Sequence, residues 1–180
     1  DEYGYTTYTC SVCAESCVAD YTDPLGPVKK ITVGGKITSF MSETDEITVT
    51  LQNDASGETY QVVLQGTEAT YIFENIADGD YILTVSKNNH VTRSYEITVD
   101  GESLTQDVKI HLKGDVNGDG RIMVTDYSAI LRHVKKTTTL EGYELICADV
   151  NGDGRVMVTD YSAVLRHVKK TATLGVPSIR

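Results

Sequence analysis

No apolar run in the sequence approaches the roughly 18 residues that a membrane-spanning helix requires, which excludes a helical span. A basic and then apolar leader is also missing. The chain opens on "DEYGYTTYTC", so any secretion signal is expected upstream in a longer parent. There is no phosphate-binding glycine loop, and no Ser or Cys has a plausible base beside it in sequence, which argues against an enzyme. Cysteine is scarce, at four residues. Cys10, Cys13 and Cys17 cluster in "CSVCAESC", a spacing open to zinc, to a disulfide or to free thiols. Zinc needs four ligands, however, and the remaining Cys147 is far away in sequence.

What is present suffices for a sizeable core: 180 residues, 40% of them hydrophobic. Charge divides the chain. Residues 1–112 carry 18 Asp/Glu against 6 Lys/Arg, net −12, and residues 113–180 carry 8 against 10, net +2, together the −10 of the whole. The acidic part suits a solvated exterior domain. A nucleic-acid partner would have only the Arg/Lys stripes described below to recommend it, in a chain of this net charge.

Residues 31–112 are predicted to form strands throughout. Short alternating or β-branched stretches run over Ile31–Ile37, Glu46–Asn53, Glu58–Gly66, Thr70–Asn75, Asp80–Lys87, Thr92–Val99 and Leu104–Leu112, separated by turn-forming clusters such as "NDASG", "ADGD" and "KNNH". Seven short strands imply a β-sandwich. The stretch "YIFENIADGDYILTVSKNNH" resembles the carboxypeptidase-regulatory-like surface modules, in which a Gly-x-Tyr turn leads into an inward-facing strand. Residues 1–30 are expected to be the remainder of a preceding module plus a "DPLGP" linker.

The rest of the chain holds one unit twice. Residues 115–140 and 149–174 differ only at Ile122/Val156, Ile130/Val164 and Thr138/Ala172. Counting Asp115 as position 1 of a loop, side-chain oxygens fall at positions 1, 3, 5 and 12 on Asp115, Asn117, Asp119 and Asp126, and in the copy on Asp149, Asn151, Asp153 and Asp160. A hard divalent cation takes six to eight oxygens, and Gly at position 6, here Gly120 and Gly154, allows the sharp turn. Position 7 offers its backbone carbonyl, so Arg121 and Arg155 can serve. Two loops imply two calcium ions. Met123 and Met157 at position 9 leave a coordinating water without side-chain support, and Asp rather than Glu at position 12 asks for a tighter helix start. Magnesium, which prefers a strict octahedron, fits less well.

Each loop leads into a helix on which Tyr127, Ile130, Leu131 and Val134 recur as an apolar stripe, copied by Tyr161, Val164, Leu165 and Val168. The residues before Asp115 are strand-like, and those before Asp149 are the short "EGYELICA", so only the exiting helix is expected in each unit. A calcium sensor or buffer is the alternative from another class. It would need a Met-rich groove on a helix face, and Met123 and Met157 lie in the loops.

Paired "DVNGDG…D" half EF-hands 34 residues apart resemble a type I dockerin, over about residues 113–174, with 175–180 as a tail. The preceding sandwich then resembles the X module of X-module–dockerin pairs. The resemblance implies an extracellular, cell-surface-associated module that binds a cohesin domain of a scaffoldin or surface anchoring protein, with no role for nucleic acid or membrane. On the exposed side of the first helix, Thr125, Ser128, Arg132 and Lys136 form one stripe, flanked by Val124, Lys135 and His133; the copy has Thr159, Ser162, Arg166 and Lys170, with Val158, Lys169 and His167. Dockerin recognition would fall on Val124–Thr125, Ser128, Arg132 and Lys135/Lys136 and on their counterparts. The overall expectation is a multidomain chain, an all-β sandwich followed by a small all-α module with two calcium-binding loop-helix motifs. The exposed faces are identical, which suggests one partner bound in either of two orientations.

Overall fold

The computed structural model describes residues 4–9, 16–22, 30–41 and 43–174, and the chain divides into two compact units, 1–30 and 31–180. In the first unit, β1 (Gly4–Thr9) pairs antiparallel with β2 (Ser16–Thr22). Cys10 and Cys13 lie outside the described residues, and so does the side chain of Cys17.

The second unit begins with the sandwich. Its strands are β3 (Thr32–Thr38), β4 (Glu46–Asn53), β5 (Thr59–Gln65), β6 (Glu68–Glu74), β7 (Gly79–Lys87), β8 (Arg93–Val99), β9 (Leu104–Thr105) and β10 (Val108–Lys109). One sheet runs in the order β5-β4-β7-β8, antiparallel throughout. In the other, β3 pairs antiparallel with β6 and parallel with both β9 and β10. Period-two alternation sets the core: Ile47, Val49 and Leu51 of β4 and Tyr81, Leu83 and Val85 of β7 are buried, while their neighbours in sequence are less so. Each such side chain contributes about 1.5–3 kcal/mol by leaving water. Tyr81, two residues after the turn at Gly79, points inward and donates its hydroxyl to Ala77 O at 3.0 Å.

The segment read in sequence as one strand over Leu104–Leu112 is two short strands. Gln106 interrupts it because its carbonyl lies against Gly35, where any Cβ would collide with it. The lost ladder contacts are replaced from side chains: Tyr71 Oη donates to Gln106 O at 2.7 Å, and Asp107 Oδ1 accepts the Lys36 N–H at 2.7 Å. Lys87 is a second departure, since this last residue of β7 is buried. Its ammonium donates to Gly66 O at 2.7 Å and Ser39 Oγ at 3.1 Å, and burial pulls its pKa down against the opposing pull of Asp45 and Glu43.

After β10 the chain enters the helical part: α1 (Val124–Val134), α2 (Gly142–Ala148) and α3 (Val158–Val168). Helix α2, formed by most of "EGYELICA", departs from the expectation of an exiting helix alone in each unit. It gives the second loop a helix on both sides, whereas the first loop follows a strand. The helices close over Val116, Ile130, Leu140, Ala148 and Val164, with Tyr127, Ala129, Val134 and their copies Tyr161 and Val168 packed around them. Leu131 and Leu165, expected in this stripe, are only half-buried and stand outside the cluster; Ala129 is in it. Equivalent residues meet across the centre: the Tyr127 and Tyr161 rings pack edge-on at 6.0 Å, and Ile130 and Val164 are both fully buried. Such meetings of like with like are what an approximate two-fold relation between the units produces. Among the described residues, no helix is long and apolar enough to cross a membrane.

Candidate calcium loops and exposed helix faces

Within each loop the position 1 carboxylate collects backbone N–H groups and thereby folds the turn. Asp115 Oδ1 accepts from Gly118 N at 2.8 Å and Asp119 N at 3.2 Å, and Oδ2 from Gly120 N at 2.9 Å. Asp149 repeats this with Gly152, Asp153 and Gly154. Position 12 closes the loop from the helix. Asp126 Oδ1 accepts from Val116 N at 2.9 Å while Oδ2 accepts from Met123 N at 2.8 Å, and Asp160 does the same with Val150 N at 3.2 Å and Met157 N at 2.8 Å. These bonds also cap the first turns of α1 and α3, where a carboxylate complements the helix dipole. Asn117 accepts from Asp119 N through Oδ1 and donates to Asp119 Oδ2 through Nδ2, both at 3.0 Å, and Asn151 copies it.

The donor chemistry fits a hard cation. Asp115, Asp126 and Asp160 are fully buried, and among the described residues no Lys or Arg pairs with them. Burial pushes the Asp115 carboxyl up; the N–H groups of Gly120 and Gly118 oppose this, and the charges of Asp126 and Asp119 add to it. Unneutralised buried carboxylates are costly, and a bound divalent ion removes that cost. Among the described residues no three His, Cys, Asp or Glu side chains form a metal cluster by themselves. A cation here would therefore also draw on the Asn117 amide and the Arg121 carbonyl, and in the copy on Asn151 and Arg155. That is the oxygen-rich, flexible set calcium takes.

Around the loops the two units part company. A Cβ added at Gly118 would collide with the His111 ring, and one at Gly120 with the Phe40 ring, whereas nothing lies within 4 Å of the equivalent positions on Gly152 and Gly154. Tyr143 of α2 locks the junction with the sandwich. Its hydroxyl donates to Val91 O at 2.6 Å and accepts from His111 N at 3.2 Å, its ring meets His111 edge-on at 5.0 Å, and the Arg93 guanidinium lies 4.5 Å above it. His90 bridges to Leu112 and accepts the Phe40 N–H on Nε2 at 3.0 Å, with Asn88 O at 2.8 Å from Nδ1, which assigns the neutral tautomer. Cys147 is a buried free thiol whose pKa is pushed up to about 12, mainly by burial. None of these junction contacts could be seen in the sequence, because each partner is remote along the chain.

The residues expected on the outer faces are where the helical spacing puts them. Val124 and Val158 are 60% and 55% exposed, and Thr125, Arg132, Lys135 and Lys136 are exposed along with Thr159, Arg166, Lys169 and Lys170; Ser128 and Ser162 are half-exposed. His133 and His167 are corrected from flanking surface positions to structural ones. Both are half-buried, and their Nδ1 atoms accept the N–H of Leu140 at 2.9 Å and of Leu174 at 3.2 Å.

Residues 113–169 match the family model described as Dockerin type I domain. No curated protein matches the chain. Two solved structures similar to it are complexes from Acetivibrio cellulolyticus, described as C-terminal and N-terminal interface mutants of a type II cohesin-X-dockerin complex. The first is 18% identical with a TM-score of 0.35, the second 22% identical with a TM-score of 0.37; each covers 76% of this chain and 94% of the other. The match over 113–169, together with loops and faces that repeat in space as they do in sequence, identifies this part of the chain as a dockerin type I domain.

Proposed function

We propose that the dockerin, loaded with two calcium ions, binds a cohesin domain and anchors the polypeptide that carries it into an extracellular cellulosome or onto a cell-surface scaffold. In this reading residues 31–112 are an X module that stabilises residues 113–174. The observation that carries the proposal is the pair of like faces. Two helices present Val-Thr, Ser, Arg and Lys-Lys in the same order and with the same exposure, although nothing in the fold requires outward residues to be copied. Lys136 and Lys170 add to it. They sit at φ +59° and +58°, where glycine costs less, and both units keep lysine. One cohesin could then dock on either face, in orientations related by the two-fold.

The ligands proposed are Asp115, Asn117, Asp119, Arg121 and Asp126 in one loop and Asp149, Asn151, Asp153, Arg155 and Asp160 in the other, with Arg121 and Arg155 serving through their carbonyls. Calcium holds the loops closed. The chain's own residues place the helices, and the helices place the faces. The experiment is capture of the full chain on a panel of immobilised cohesins, with calcium and with chelator. Capture by at least one cohesin, lost in chelator, is the expected result; no capture by any of them would overturn the proposal.

A further inference from the structure

The two loops share the run Asp-Val-Asn-Gly-Asp-Gly-Arg and the same backbone, with φ of +69° and +73° at Gly118 and Gly152 and +84° and +82° at Gly120 and Gly154. Their surroundings differ. Asp115, Val116 and Gly118 are buried and Gly120 is half-buried, whereas the counterparts Asp149 and Val150 are half-buried and Gly152 and Gly154 are exposed; Asp119 and Asp153 are exposed alike. Two rings lie against the first loop, His111 at Gly118 and Phe40 at Gly120, both ahead of the dockerin in sequence, and nothing lies within 4 Å of the equivalent positions in the second.

We propose that Phe40 and His111 form an outer wall of the first calcium loop, so that the first loop releases its ion more slowly than the second. The proposal rests on both loops being calcium sites. Release requires the carboxylates of a loop to separate and its backbone to open. In the first loop that opening must displace two rings, one of them fixed by its edge contact with Tyr143, whereas the second loop opens into solvent. Loss of calcium from the dockerin is therefore ordered. The second unit unloads first, while the unit against the sandwich keeps its shape.

The test is calcium release from the loaded full chain, mixed rapidly with a fluorescent chelator. The native chain should show two phases of equal amplitude, and Asp149→Ala should leave only the slow one. Phe40→Ala should speed the slow phase roughly tenfold and leave the fast phase unchanged. Gly118→Ala and Gly152→Ala provide a matched pair, because both place a side chain at nearly the same positive φ and only the first meets a ring. Gly118→Ala should therefore shift its own phase further than Gly152→Ala shifts the other. Release of both ions at a single rate, or a slow phase untouched by Phe40→Ala and Gly118→Ala, would overturn the inference and leave both loops as calcium sites. A chain that binds no calcium at equilibrium would overturn the calcium reading as well.

Discussion

The first and second dockerin units are nearly the same text in two settings. The first follows a β-strand and has the sandwich against its loop; the second follows a helix, and its loop is open at Gly152 and Gly154. In both, the hydrogen bonds made by the position 1 and position 12 carboxylates are reproduced to within a few tenths of an ångström. Local sequence therefore determines the loop and the first turn of the helix. Tertiary context determines how buried, and how easily opened, the same loop becomes.

Removing calcium tests what the units share, and it should have the largest effect. A site that is saturated at about a thousand times its Kd contributes about 4 kcal/mol to the folded state, and two sites contribute twice that. Chelation should abolish the helical circular dichroism of α1 and α3 and leave the strand signal of β3–β8. A helical signal indifferent to chelator would mean that the apolar cluster around Ile130 and Val164 folds the dockerin unaided.

Next in size is an effect confined to the sandwich side. Tyr143→Phe keeps the ring under Arg93 but removes the hydroxyl that links Val91 O and His111 N. Leaving both groups without that partner costs about 1–3 kcal/mol. Thermal unfolding of the calcium-loaded chain should show this as a lowered midpoint. An unchanged midpoint would show that water replaces the hydroxyl and that the junction is looser than the contacts suggest.

Acid probes the same junction more gently. His90 and His111 both have pKa values lowered, first by burial and then by nearby cations, Lys87 for the one and Lys109 and Arg93 for the other. A histidine whose folded pKa lies below the unfolded value of about 6.5 is less readily protonated in the folded state. The stability it supports is thus fully present above pH 6.5 and is lost as pH falls towards the folded pKa. For His90 the cause is visible: a proton on Nε2 would face the Phe40 N–H that it now accepts. The melting midpoint should fall between pH 7.5 and pH 5, and His90→Asn should flatten the dependence. A slope unaffected by that substitution would assign the effect to other groups.

The loops were legible in the sequence because their logic is local: alternating oxygens, a glycine and a helix start all lie within twelve residues. The sandwich strands were legible because alternation needs no knowledge of the partner sheet. What escaped depends on remote neighbours. Gln106 breaks the last strand because Gly35 lies beneath its carbonyl, and Lys87 is buried because Gly66 and Ser39 receive its ammonium. His133 and His167 turn inward to hold Leu140 and Leu174, a contact seven residues away that the helical period alone would place at the surface. Helix α2 hides in a stretch too short to show a period, and it is fixed by Tyr143 reaching the sandwich.

The smallest predicted effect bears most directly on why the unit is doubled. If either face binds the same cohesin, removing one face removes one of two equivalent modes, at a cost of RT ln 2, about 0.4 kcal/mol. Changing Thr125, Arg132 and Lys136 together to Ala should weaken binding by only about twofold, and so should changing Thr159, Arg166 and Lys170. The six changes together should abolish it, because each mode alone has to supply the buried anchors and the charge pairs. Titration calorimetry against one cohesin measures all three variants. The sheltered first loop supplies the opposing expectation. That loop, which leads into the first helix, lies against Phe40 and His111 while the second does not, so that the first face is the better ordered and carries the binding alone. A loss above about 2 kcal/mol from one triple variant and none from the other would show that tertiary context has broken the equivalence of the two faces, as it has already broken that of the two loops.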